Sequence, residues 1–163
     1  MELALEEELG KILTQEGWTI AVAETTAGGL ISARIVGLPG SSAYFERGIV
    51  AYSKGSKIEL LGITEEALAE YGAVSEETAK ALAEGIKRIS GSTFGLAETG
   101  IAGPIAGKSP KPVGSACIAV AGPSAIRSGS FVFEGDRSQI RSRISEKSLH
   151  LLLEWISDRA FSS

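Results

Sequence analysis

The sequence contains one cysteine, Cys117, and one histidine, His150. A lone cysteine excludes an internal disulfide and a cysteine-based structural zinc site. A lone histidine means that any His-dependent hydrolysis must run through His150. It lies between Leu149 and Leu151 in a helix-like stretch, which suits a helix-face residue better than a catalyst. Cys117 falls inside an apolar strand-like run, as a small core residue would. Neither points to a metal, and no cofactor is expected. No apolar run approaches the ~20 residues that span a bilayer, so no membrane partner is expected. Net charge is −4, and no Lys/Arg cluster marks a nucleic-acid surface. The amino-terminal stretch is acidic and periodic, unlike a signal or transit peptide. These absences together suggest a reduced, cytoplasmic protein.

What remains is an ordinary globular composition, 44% hydrophobic and 22% charged over 163 residues. It predicts a single domain over 1–163 with room for a core. Leu5, Leu9, Ile12 and Leu13 share one face of a helix over 2–16, ended by Gly17. Strands are expected over 18–24, 47–53, 93–100, 113–122 and 125–135, the last two as a hairpin across Gly122–Pro123. Helices are expected over 27–36, around Lys57–Leu61, after Thr64, after Ser75 and after Asp136, with those last three residues as N-caps. Ala79, Leu82, Ala83, Ile86 and Ile89 give the helix after Ser75 its apolar face, and Ile140, Ile144, Leu151 and Trp155 do so in the final helix. The alternation predicts a three-layer α/β/α sandwich around a mixed, mostly parallel sheet of about five strands. Ligands in such folds sit at strand carboxyl ends, which makes candidates of the corners 23–29, 51–57 and 98–104.

Each corner has two readings. In "AETTAGG" (23–29), unpaired N–H groups at a helix start can bind phosphate or an oxyanion. Alternatively, Thr25 or Thr26 is an N-cap and the glycines allow close packing. Lys57 is a general base only when neutral, roughly once in 2,500 at pH 7 at the reference pKa. A pKa near 7–8 takes about 4 kcal/mol of burial or neighbouring cations; the other reading is a solvated lysine. "AGPIAGKS" (102–109) loosely matches a phosphate loop, but Pro110 and Pro112 follow where that loop must open a helix. Arg137 and Arg141 share one helix face, placed either to grip a phosphate or to stand in solvent.

The stretches "AETTAGGLISARI", "PGSSAYFERGIVAYSKGSKIELLGI", "YGAVSEETAKALAEG", "TGIAGP", "KPVGSACIAVA" and "GDRSQIR" resemble, in order, the CinA carboxyl-terminal domain family. The likeness runs from about Trp18 to Ile156 and looks like the stand-alone form, without the molybdopterin-binding-like domain of larger members. The resemblance implies an α/β/α fold with a mixed five-stranded sheet. It implies metal-independent hydrolysis of the carboxamide of nicotinamide mononucleotide to nicotinate mononucleotide and ammonia, by a serine nucleophile and a lysine base. It also implies a homodimer. The family pattern Ala-Glu-Ser-Cys-Thr-Gly-Gly falls on Ala23, Glu24, Thr25, Thr26, Ala27, Gly28 and Gly29, so a threonine, Thr25, stands at the nucleophile position. Ala-Tyr-Ser-x-x-x-Lys falls on Ala51, Tyr52, Ser53 and Lys57, and Thr-Gly-Ile-Ala-Gly-Pro on Thr99 to Pro104. The resemblance therefore assigns Thr25, Lys57 and Tyr52 to catalysis. It assigns Glu24, Thr26, Gly28, Gly29, Thr99, Gly100, Arg137 and Arg141 to a small nucleotide substrate. Glu98, beside Thr99, adds a charge that favours protonated Lys57. The alternative is a pyridine-nucleotide or phosphate-ester binding module with impaired hydrolysis. The family's historical name suggests a competence or DNA-related role, but the acidic net charge argues against DNA contact.

Overall fold

The computed structural model describes residues 3–163. Its elements in chain order are α1 (Leu5–Glu16), β1 (Ile20–Glu24), α2 (Leu30–Val36), β2 (Phe45–Val50), α3 (Lys54–Leu61), α4 (Glu65–Tyr71) and α5 (Glu76–Ser90). Then come β3 (Phe94–Gly100), β4 (Ser115–Ala121), β5 (Ile126–Val132), α6 (Arg137–Ile156) and α7 (Arg159–Ser162). The expected helix over 2–16 thus begins at Leu5, and Glu2 lies outside the described residues.

The strands form one sheet in the order β2-β1-β3-β4-β5. β1 pairs in parallel with β2 and β3, while β4 is antiparallel to both β3 and β5. The sheet is therefore mixed, with only β4 reversed. After β1 the chain steps outward to β2, then crosses back over β1 to β3. The direction of progress reverses between β1 and β3. In open α/β sheets, that reversal leaves a crevice at the carboxyl ends of the two strands.

Alternation along each central strand builds two unlike faces. Ile20, Val22, Phe94, Leu96, Ile118 and Val120 point to one side, where α1, α2, α6 and α7 cover them with Leu13, Ile31, Leu152 and Phe161. Ala21, Ala23, Ala97, Cys117 and Ala119 point to the other, where Leu82, Ala83 and Ile86 of α5 and Leu61 of α3 pack. The second face carries small residues because α5 lies close to it. A Cβ at Gly95 would fall 2.3 Å from the Ala83 carbonyl oxygen, so only glycine fits there.

The starts of α4, α5 and α6 follow the sequence signals. Ser75 accepts from the Thr78 N–H, Thr64 from Ala67, and Asp136 forms a reciprocal capping box with Gln139. The expected hairpin closes across Gly122, whose N–H donates to Ala125. One side chain departs from expectation. Ile89 sits in the last turn of α5, past the sheet, and is exposed rather than part of the apolar face.

Candidate functional site

The crevice between β1 and β3 gathers Glu24, Thr25, Thr26, Glu98 and Thr99, all buried. After Glu24 the chain turns through Gly28 (φ +63°) and Gly29 (φ +106°) before α2 begins. Positive φ at both positions is the physical requirement for the glycine pair. Space adds a second constraint at Gly28, where a Cβ would lie 3.0 Å from an Arg141 nitrogen.

Neither threonine caps α2, contrary to the sequence expectation. The cap is Glu24. Its Oε1 accepts from the N–H groups of Gly29 (3.0 Å) and Ile31 (2.9 Å). Its Oε2 accepts from the Ser32 N–H (3.0 Å) and the Ser32 hydroxyl (2.6 Å). All four of these bonds come from the turn and the start of α2, so the Glu24 carboxylate holds the corner's shape. Gly29, also expected to meet substrate, spends its N–H in the same cap.

Glu98 enters the turn from β3. Its Oε1 accepts from the N–H groups of Thr25 (2.7 Å) and Ala27 (2.9 Å). Its Oε2 is buried and has no hydrogen-bond partner among the described residues. Burial pushes the Glu98 carboxyl up to about 7, and Glu24 adds to the rise. The two N–H donors and the Lys57 charge oppose it. The anion-binding capacity suggested by "AETTAGG" is thus largely filled by the protein's own carboxylates. The N–H groups of Thr26 and Gly28 remain without a partner among the described residues.

The hydroxyls have defined partners. Thr25 Oγ1 donates to the Glu98 carbonyl (3.0 Å) and lies 3.4 Å from Thr26 Oγ1. Thr26 Oγ1 donates to the Gly100 carbonyl (2.8 Å), and Thr99 Oγ1 to the Ala73 carbonyl (2.7 Å). The Thr26 bond ties the turn to the end of β3. The Thr99 bond ties β3 to the segment between α4 and α5.

Lys57 is 6% exposed, which settles against the solvated reading. Its Nζ donates to the Tyr52 carbonyl at 3.3 Å. Burial lowers its pKa, while the charges of Glu98 and Tyr52 oppose the fall. With Lys54, Leu68, Ala69 and Ala73 it lines a cavity of about 160 Å³. A cleft of about 490 Å³ adjoins through Ala73 and is walled by Tyr71, Ile101, Lys108 and Lys111. Another hollow, of about 540 Å³, lies at the opposite end of the sheet around Arg88 and Gly122 and contains none of the candidate residues.

The two arginines come to the crevice from α6. Arg141 donates through Nε to the Thr26 carbonyl (2.9 Å) and through Nη2 to the Ala27 carbonyl (3.0 Å). Arg137 donates to the Gly103 carbonyl (2.8 Å) and reaches the Tyr52 hydroxyl at 3.4 Å. Tyr52 is 65% exposed, at the rim. The structure thus brings the corners 23–29, 51–57 and 98–104 to one end of the sheet. No hydrogen bond joins Thr25 to Lys57 among the described residues. His150 is exposed against Glu146, remote in its contacts from the crevice. Cys117 is a buried free thiol. No three His, Cys, Asp or Glu side chains cluster as a metal site among the described residues. No described helix is long and apolar enough to cross a membrane.

Comparison with known proteins supplies the context. The family model for the CinA C-terminal domain matches residues 2–156. A CinA-like protein of Chloroherpeton thalassium is 46% identical over 160 residues, covering 96% of this chain and 38% of its own length. A CinA-like protein of Chlorobium limicola is 44% identical, over 91% of this chain and 36% of its own length. The chain therefore spans a little over one third of these curated relatives. Among solved structures, the competence damage-inducible protein A of Klebsiella pneumoniae superposes with a TM-score of 0.92 at 26% identity, covering 95% of this chain and 96% of that one. A competence/damage inducible protein from Agrobacterium tumefaciens gives 0.87 at 33% identity, covering 94% and 98%. The matched span takes in the whole crevice, from Glu24 to Arg141, and on these matches the chain belongs to the CinA C-terminal domain family.

Proposed function

We propose that the chain is an amidohydrolase that deamidates nicotinamide mononucleotide, with Thr25 as nucleophile and Lys57 as base. One observation carries the reading. A lysine buried to 6% exposure, and so pushed toward its free amine, opens at the same sheet end as two buried hydroxyls. A free amine can take a hydroxyl proton, whereas a solvated ammonium cannot.

In this reading Thr25 Oγ1 leaves its bond to the Glu98 carbonyl and attacks the carboxamide carbon. Its proton passes to the Lys57 amine. The C–N bond then breaks as Lys57 returns that proton to the departing nitrogen, releasing ammonia and leaving an ester on Thr25. Water attacks the ester and gives a proton to Lys57. The ester C–O bond breaks, the proton returns to Thr25 Oγ1, and nicotinate mononucleotide departs. The free N–H groups of Thr26 and Gly28 are the donors available to the oxyanion. Tyr52 and Thr99 orient Lys57 and the carbonyl, Gly100 borders the substrate, and Arg137 meets the phosphate at the rim. Arg141, bound to two carbonyls, keeps the turn in place as well as adding positive charge.

The test is ammonia release from nicotinamide mononucleotide by the wild type, Thr25→Ser and Thr25→Ala. The expected result is turnover by the first two and a loss of at least about 10³-fold in Thr25→Ala. A Thr25→Ala protein as fast as wild type would sink the mechanism. The second reading is a nucleotide-binding module without efficient hydrolysis. The Thr25 hydroxyl bound to the Glu98 carbonyl, rather than to Lys57, favours it. Calorimetric binding of the mononucleotide with no ammonia from the wild type selects this reading.

A further inference from the structure

Glu98 is the group in the crevice whose chemistry is incompletely used. Oε1 holds the backbone on both sides of Thr26, at Thr25 and Ala27. Oε2 is buried and carries lone pairs with no donor among the described residues. A carboxylate that served packing alone would have both oxygens satisfied, since a buried unpartnered charge is costly. Glu24, on the neighbouring strand, has both satisfied. The backbone of the same residue, Glu98, also accepts the Thr25 hydroxyl. Glu98 therefore touches the proposed nucleophile through both its carboxylate and its carbonyl.

The charged and titratable groups around it are few. Glu24 faces it from β1 and disfavours its charge, and Lys57 faces it from α3 and favours its charge. Tyr52, between β2 and α3, acts on Lys57, and Arg141 of α6 binds the carbonyls of the same turn. Cys117 stands on β4 opposite Thr99. Lys57 makes no hydrogen bond to Glu98; both side chains are buried at the same end of the sheet, where charges are poorly screened.

We infer that Glu98 is a positioning residue for the proposed hydrolysis, pinning the Thr25 turn through Oε1 and setting through its charge how much of Lys57 is free amine. The inference rests on the proposed reaction for its kinetic consequence only. An ionised Glu98 stabilises the Lys57 ammonium, so removing that charge lowers the Lys57 midpoint. Linkage makes the effect reciprocal. Removing the Lys57 charge raises the Glu98 midpoint.

The test is a side-chain NMR titration of Lys57 in the full chain, wild type against Glu98→Gln, with the pH profile of ammonia release beside it. In Glu98→Gln the carboxamide oxygen can still accept from Thr25 and Ala27, so the turn is retained while the charge is lost. The Lys57 midpoint is expected to fall by about one pH unit, and the rising limb of the rate profile to move with it. A purely structural role lowers the rate plateau and leaves both midpoints in place. If Glu98→Gln does not fold, the Glu98 carboxyl is followed in Lys57→Met, where its midpoint is expected to rise. An unchanged midpoint in the variant that folds overturns the inference, whatever the turnover. A wild type that releases no ammonia while the midpoints move refutes the hydrolase reading and leaves the charge coupling standing.

Discussion

Glu24 ends β1, Glu98 lies two residues before the end of the neighbouring parallel strand β3, and the two, both fully buried, grip the same turn. One accepts four hydrogen bonds and is saturated; the other accepts two and keeps an oxygen free. The difference comes from where each donor set originates. Glu24 faces the first turn of α2, a run of N–H groups that helix geometry leaves without partners. Glu98 faces a tight turn that offers only alternate N–H groups. Identical burial therefore yields a carboxylate with both oxygens filled in one case and one with an oxygen left open in the other. Unfilled hydrogen-bonding capacity, rather than burial, is what sets Glu98 apart from Glu24.

Breaking the saturated member has the largest expected effect. Glu24→Ala removes the cap of α2 and leaves the Gly29, Ile31 and Ser32 N–H groups without their partner. It should cost about 4 kcal/mol in urea unfolding. Glu98→Gln keeps both of its N–H contacts and should cost less. A larger loss in Glu98→Gln than in Glu24→Ala would reverse the division of roles.

The next effect separates the two by pH. Raising the Glu98 carboxyl from 4.5 to about 7 means that the fold prefers the protonated acid. The associated stability is fully present below pH 4.5 and is lost as pH rises through 7, amounting to about 3 kcal/mol. Unfolding free energies of the wild type and Glu98→Gln, compared across that window, should diverge by this amount, with the wild type falling. Glu6, Glu16, Glu76 and Asp158 are lowered by their partners and act in the opposite direction, so the difference between the two proteins is the informative quantity. Parallel curves would show that Glu98 does not titrate there. The smallest effect concerns the clamp over the turn. Arg141→Ala frees the Thr26 and Ala27 carbonyls and should cost about 1.5 kcal/mol. The turn remains held from below by Glu24 and Glu98.

Much of the frame can be read along the chain because its signals are local. Asp136 with Gln139, Thr64, Ser75 and Gly17 lie within one turn of the helix ends they set. The alternation of Ile20 and Val22 with Ala21 and Ala23 follows from strand geometry. The family motifs point to the three corners that the fold brings to one end. What stays hidden depends on contacts distant in sequence. Glu98 meets Thr25 across 73 positions, and Arg141 meets Thr26 across 115. The capping role of Glu24 escapes for a subtler reason. A cap ordinarily sits immediately before its helix, so the adjacent threonines draw the assignment, whereas the glycine pair folds the chain back onto the preceding strand residue. The sequence shows Glu98 as a charge beside Thr99, but not its hold on the Thr25 turn.

The most direct test of the central claim is ammonia release from nicotinamide mononucleotide as a function of pH, by the wild type and Lys57→Ala. The wild-type rate is expected to climb with pH to a midpoint below the ordinary lysine value of 10.5, because burial disfavours the ammonium. Lys57→Ala is expected to lose that limb and nearly all turnover. Equal rates in the two proteins, with the same pH dependence, would contradict it.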